Sequence, residues 1–202
     1  MMRISVLHIL LIIVSASSVS FAQEPLEALQ QGIEEAISVL DDAQYQDASK
    51  KNIQQQKLWE LMLGLFDFKE FSKRVLGQHW NKFTPQQRAE FVRAFSEFLG
   101  KFYLGRLQER YNKERVTYLG QQMIGKSNAL VEIEVLWRSM KVPVKLRMTN
   151  RSGRWRVYDL SVLGINAVSN YRAQFKWILR NESPQQLIAR LKSKIAELDD
   201  KS

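Results

Sequence analysis

Ala129-Leu130-Val131-Glu132-Ile133-Glu134-Val135-Leu136-Trp137 and, a few residues on, Val142-Pro143-Val144-Lys145-Leu146-Arg147-Met148 decide how this chain folds. In the first run Ala129, Val131, Ile133, Val135 and Trp137 interleave with Glu132, Glu134 and Arg138. In the second, Val142, Val144, Leu146 and Met148 interleave with Lys141, Lys145 and Arg147. Side chains of a strand point alternately to opposite faces, so a period of two puts one face on a core and the other in water. That is the signature of an antiparallel sheet with one covered face. Asn150-Arg151-Ser152-Gly153 reads as a hairpin turn with glycine at its end. Extending both ways, the spacing predicts four strands, near 115–123, 128–138, 141–149 and 154–162.

On either side of this block the period changes to that of a helix. Leu26, Leu29, Ile33, Ala36, Ile37 and Leu40 recur on one face behind Pro25, and a second helix carries Ile53, Leu58, Leu61, Met62 and Leu65. Asp67 to Leu76 forms a short third helix that Gly77 stops. Thr84-Pro85-Gln86-Gln87 is a strong helix start, with a capping hydroxyl, proline in the first helical position and a glutamine three residues after the cap. The helix it opens runs to about Arg110 with an aromatic inner face of Phe91, Phe95, Phe98 and Phe102, and Leu99 and Tyr103 beside it. Gly164 returns the chain to helix, where Val168, Tyr171, Phe175 and Ile178 share a face. Ser183-Pro184-Gln185-Gln186 opens a last helix with Leu187, Leu191, Ile195 and Leu198 inward. Helices, a strand meander, then helices make an α+β domain, a four-stranded antiparallel sheet with several helices packed on one face.

The first residues read as a targeting segment. Arg3 precedes an apolar run from Ile4 to Val14, and Ser20-Phe21-Ala22 places small side chains at −3 and −1 of a cleavage site before Gln23. The run is shorter than the roughly 20 residues needed to span a bilayer, so residues 1–22 are expected to be a cleaved signal peptide and 23–202 a single exported domain. A chain of this size buries a real core as one domain. Cysteine is absent, which removes disulfide and thiol chemistry. The net charge of +9, lowered by one with the loss of Arg3, favours anionic partners or serves solubility alone. Export argues against nucleic acid as the partner.

Catalytic signals are thin. His79 is the one histidine after residue 22, which leaves no metal set and no paired acid–base group. Glycines and serines lack a phosphate loop or a nucleophile elbow. Asp67 and Asp159 sit among apolar neighbours. Each could be a tuned acid, but the structural reading, a helix cap for Asp67 and a hydrogen-bonded strand residue for Asp159, is favoured. The density of large apolar groups is more informative. Phe66, Phe68, Phe71 and Trp80 join the aromatic helix within one helical stretch, facing a sheet of Val, Ile, Leu and Met. This serves either close packing or an apolar ligand cavity.

Several blocks together resemble the MlaC family, proteins also known for toluene tolerance and as auxiliary components of ABC transporters. They are Leu65-Phe66-Asp67-Phe68, Val75-Leu76-Gly77, Trp80, Thr84-Pro85-Gln86-Gln87-Arg88 and Phe91-Val92-Arg93-Ala94-Phe95 in the first half. In the second half they are Gly153-Arg154-Trp155-Arg156-Val157-Tyr158-Asp159-Leu160, Gly164-Ile165, Asn170-Tyr171-Arg172-Ala173-Gln174-Phe175 and Leu187-Ile188-Ala189-Arg190-Leu191. They keep the family's order from about residue 27 to 198. The resemblance implies a monomeric, non-enzymatic periplasmic carrier without a cofactor. It would exchange phospholipid between an outer-membrane lipoprotein complex and an inner-membrane ABC transporter with an MCE-domain subunit. The acyl tails would lie in an apolar cavity between helices and sheet.

Under that resemblance the lipid-facing residues are Leu65, Phe66, Phe71 and Val75, then Phe91, Phe95, Phe98 and Phe102. The sheet adds Val131, Ile133, Val135, Val144, Leu146, Met148 and Val157, and the following segment adds Ile165, Val168, Tyr171 and Phe175. Gly64, Gly77 and Gly164 are candidate hinges, and Lys141, Lys145, Arg147, Arg154 and Arg156 candidate steering charges. One stretch departs from the family. Leu163-Gly164-Ile165-Asn166 stands where an acidic residue, Gly, an aliphatic residue and Ser are usual, which is expected to reshape the pocket mouth and leaves a hopanoid-like cargo open beside a diacyl phospholipid. The rival readings are an envelope adaptor with a solid core and a small hydrolase or isomerase using Asp67, Asp159 or His79.

Overall fold

The computed structural model describes residues 23–45 and 47–200. The expected signal peptide lies outside the described residues. The described residues form six α-helices: α1 (Pro25–Asp41), α2 (Lys51–Leu65), α3 (Phe68–Leu76), α4 (Pro85–Arg110), α5 (Ala167–Ile178) and α6 (Pro184–Asp199). The strands are β1 (Arg115–Ile124), β2 (Asn128–Trp137), β3 (Met140–Arg151), β4 (Arg154–Val162) and β5 (Ile165–Asn166), paired in that order and antiparallel throughout. None of the described helices is long and apolar enough to cross a membrane.

The expected four strands are therefore five. Leu163 and Gly164, at φ +50° and +81°, turn the chain back so that Ile165 and Asn166 pair with Val162 and Ser161. Both turn residues take the left-handed conformation that a tight two-residue hairpin demands. The second is the glycine read as a return to helix. The first is a leucine, which carries no turn signal.

Helices α3, α4 and α6 start where their capping chemistry puts them. Thr84 accepts from the Gln87 N–H while Gln87 reaches back to the Thr84 N–H, and Ser183 and Gln186 repeat the arrangement at α6. Asp67 accepts from the Glu70 N–H at 2.8 Å, the cap expected for α3. Gly77 at φ +54° ends that helix.

The outer face of the sheet carries the ion pairs Lys141–Glu134 and Lys145–Glu132, and its inner face packs on α1 through Leu26, Leu29 and Ile33. A second core of Phe71, Val75, Phe91, Phe95, Phe175, Leu187 and Ile188 joins α3, α4, α5 and α6. The longest helix, α4, has α6, α2 and α3 as its principal neighbours, and no strand among them. At its crossing with α2 a Cβ on Gly100 would stand 2.5 Å from the Trp59 ring, so only glycine permits this approach.

The helical layer is tied to the sheet along the free edge of β4. Phe66 bridges Val157, and the Asp67 N–H donates to the Val157 carbonyl at 2.8 Å. Beside this stitch the buried carboxylate of Glu70 accepts from Arg74 Nε and from Arg151 Nη2, each at 2.8 Å, and the Arg74 guanidinium stacks on the Tyr158 ring. Burial alone would raise the Glu70 pKa, but the Arg151 hydrogen bond and the charges of Arg74 and Arg151 hold it below the ordinary glutamate range. A depressed native pKa means stability that is present above the unfolded-state pKa and lost as pH falls through the native one. Glu70→Gln should therefore cost about 1–3 kcal/mol at pH 7. The difference from wild type should shrink in acid as the native carboxylate is protonated, a comparison that denaturant melts from pH 7 down to 3 will make.

Candidate functional site

Directly opposed residues of antiparallel strands stand on the same face, so the register sorts the inner face of the sheet into rows. Ala129, Met148 and Val157 form the row nearest the start of α1, where Trp155 Nε1 donates to the Gln23 carbonyl, and all three are fully buried. Val131, Leu146 and Leu160 come next, the first two buried and the third half-buried. In the row of Ile133, Val144, Val162 and Ile165, exposure climbs strand by strand. It runs from 4% at Ile133 through half-buried Val144 to 37% at Val162 and 69% at Ile165. Farther along, Val135 and Trp137 are half-buried and Met140 is exposed.

The aromatic stripe of α4 shows a similar gradient. Phe91, Phe95 and Leu99 are buried, Phe98 and Phe102 half-buried, and Tyr103 exposed. Four residues, 111–114, join α4 to β1, whose first residue Arg115 opposes Leu136, so the thinly covered ends of helix and sheet are the same end of the molecule. On α1, buried Leu29 gives way to half-buried Ile33 and Ile37. Two apolar surfaces, one on the sheet and one on α4, thus lose their cover toward the same end of the molecule.

The nominated residues divide along this gradient. Phe71, Val75, Phe91, Phe95, Val168 and Phe175 are buried in the helical core, with Tyr171 and Phe98 at its border. Val131, Ile133, Leu146, Met148 and Val157 are buried in the sheet core, with Leu65, Val135 and Val144 at its border. Phe66 packs against both cores, and Phe102 continues the α4 stripe by stacking on Phe98 at 5.6 Å. Ile165 stands at the open edge. Leu65, Phe66, Phe98, Phe102, Val135, Val144 and Tyr171 are the half-buried members, those with surface to offer. Ile33, Met62 and Leu160 belong with them and were read from the sequence only as core positions or left unremarked, because periodicity reports a face and not the extent of its cover.

A separate groove of about 490 Å³ lies between α2 and α4 on the side of α4 away from the aromatic stripe. Trp59, Leu63, Arg93, Lys101 and Leu104 line it, and none of the nominated residues does.

The rival catalytic residues have structural partners or none. Asp67 caps α3. Asp159 is buried and accepts from Asn166 Nδ2 at 2.7 Å and from the Val168 N–H at 3.2 Å. His79 sits in the 3₁₀ turn Gly77–Lys82, its pKa lowered by burial and by the charges of Lys82 and Lys176. No cluster among the described residues could hold a metal ion. Of the five steering cations, Lys141 and Lys145 are already paired with carboxylates of the sheet.

The sequence profile of the family described as MlaC protein matches residues 30–193. The chain belongs to the MlaC family. Similar proteins include the intermembrane phospholipid transport system binding protein MlaC of Haemophilus influenzae, 22% identical over 129 residues that cover 61% of this chain and 60% of that protein. The toluene tolerance protein ttg2D of Pseudomonas putida is 28% identical over 156 residues, 76% of this chain and 72% of that one. The phospholipid-binding protein of Ralstonia solanacearum, solved in complex with a phospholipid, superposes with a TM-score of 0.74 over 88% of this chain and 99% of its own. At 20% identity that likeness establishes the shared fold.

The stretch that departs from the usual family pattern has a defined job. Asn166 Oδ1 accepts from the Ser169 N–H at 2.8 Å, capping α5, while its amide donates to Asp159. The amide joins β4, β5 and α5 at one point. Asn166→Asp would keep the cap but set two carboxylates at hydrogen-bond distance. Like charges so close raise a carboxyl pKa, so the variant should lose about 1–3 kcal/mol at pH 7 and recover part of it as pH falls and one carboxyl is protonated. Thermal melts at pH 7 and 4.5 measure both terms.

Proposed function

We propose that this chain is a non-enzymatic phospholipid carrier that holds acyl chains in the seam between α4 and the inner face of the sheet. The observation that carries the reading is the matched fall in burial along the two apolar surfaces, in a fold shared with a protein solved with a phospholipid. The half-buried residues Phe66, Phe98, Phe102, Val135, Val144 and Leu160 make the first contacts with the chains. The fully buried ones, Phe91, Phe95, Val131 and Met148 among them, form the floor that positions these surfaces.

Burial supplies the affinity, at about 0.8 kcal/mol for each CH₂ taken out of water. Ordering the chains and parting the two layers offset some of this gain. A cargo held this way leaves slowly into water, so delivery calls for a partner that opens the seam. In this reading residues 1–22 direct export, and the carrier works in the periplasm between an outer-membrane lipoprotein complex and an inner-membrane ABC transporter with an MCE-domain subunit.

Protein purified without detergent, extracted and analysed by mass spectrometry, should yield near-stoichiometric phospholipid. A lipid-free protein that also refuses added phospholipid would overturn the reading in favour of an adaptor with a solid core, and a hopanoid-like extract would correct the cargo. Val144→Trp adds bulk to the half-buried row beside Ile133. It should cut the lipid content severalfold while the lipid-free protein keeps a cooperative melting transition, which thermal melts of the delipidated variant check.

A further inference from the structure

Along one face of α4 the chemistry changes in a fixed order. Phe98 and Phe102 stack at 5.6 Å, and the Arg106 guanidinium lies over the Phe102 ring at 3.7 Å. At 1.5 Å of rise per residue, the path from Phe98 to Arg106 spans roughly 12 Å. It leads from half-buried rings at the seam to an exposed cation at its open end. Among the described residues Arg106 makes no ion pair, and its one recorded contact is the Phe102 ring. A guanidinium stacked on an aromatic face keeps its N–H edge free and held in place.

One turn before Arg106, Tyr103 meets Tyr171 of α5 with the hydroxyl oxygens 3.2 Å apart. One O–H donates across this pair, which leaves the other O–H free to donate elsewhere. Tyr171 packs against Phe95 and Phe175, and burial together with the Tyr103 hydroxyl raises its pKa further above the neutral range, where a phenol is a donor in any case. A fixed guanidinium edge and a spare hydroxyl, above a column of rings, are complementary to an anion attached to hydrocarbon.

We infer that Arg106, with the Tyr103–Tyr171 hydroxyl pair, is the subsite for the phosphodiester of the bound lipid. This rests on the carrier reading and adds to it a headgroup requirement. The planar fork of arginine matches two phosphate oxygens at once. Phosphate-bearing lipids are therefore preferred over uncharged ones of equal apolar bulk, which ranks a glycerophospholipid above a hopanoid-like cargo.

The test compares dioleoyl phosphatidylglycerol with dioleoylglycerol, which has the same chains and no phosphate, by displacement of a fluorescent fatty acid from delipidated protein. Wild type should bind the phosphatidylglycerol more tightly. Arg106→Ala should weaken that binding about tenfold or more, the scale of a lost charge-assisted hydrogen bond. Binding of dioleoylglycerol should not change, and Arg106→Lys should restore part of the loss. Equal losses for both lipids would reduce Arg106 to a cover on Phe102, and no loss for either would remove it from the site; each result overturns the assignment. Glycerophosphoglycerol, the headgroup without chains, should bind far more weakly than the lipid. If it binds equally well and only with Arg106 present, the site takes free phosphate esters and the lipid assignment falls. If wild type takes up neither lipid, the carrier reading itself has failed, an outcome distinct from all of these.

Discussion

Asp67 donates its backbone N–H to the carbonyl of Val157, and the helical layer takes its position on the sheet from that bond. The residue before it, Phe66, packs in both the helical core and the sheet core, and the carboxylate of Asp67 itself starts α3. Three roles, sheet edge, inter-core contact and helix cap, fall on two consecutive residues. Glu70, Arg151 and Arg74 then hold the same corner with charge. Because the layers are fastened along β4 near Val157, they are free to diverge with distance from it, and the burial of their facing side chains falls off in that direction.

This geometry leaves apolar side chains partly open to solvent in a protein of ordinary core composition. The most exposed of the inner-face side chains, Val162 and Ile165, lie beyond the fully buried row of Ala129, Met148 and Val157. In the carrier reading, affinity for hydrocarbon and stability of the fold draw on different members of the same stripe. Phe91 and Phe95 stabilise the protein, whereas Phe98 and Phe102, one or two turns on, have contact area to give a ligand.

Much of the fold was legible in the sequence, because the physics that decides it is local. Alternation at 129–137 and 142–148 set the inner and outer faces, and the Thr84 and Ser183 boxes placed the starts of α4 and α6. The fifth strand escaped notice because its turn begins with Leu163, a residue with no affinity for positive φ, held there by the pairing it permits. The candidate site was legible as a set of residue types and not as a place. Phe95 and Phe98 look alike in sequence, and so do Val131 and Val144. What separates them is the row each occupies along the strands and what covers that row, a property of the tertiary arrangement. Asn166, where the sequence departs from the usual family pattern, also caps α5 and braces Asp159, a role that no periodicity reports.

The crossing of α2 and α4 limits how such a protein can move. With the Trp59 ring seated where Gly100 has no side chain, neither helix can slide or roll against the other without a collision, and α6 is packed along α4 as well. In the carrier reading, a partner that parts the layers therefore moves α2, α4 and α6 together rather than one helix at a time.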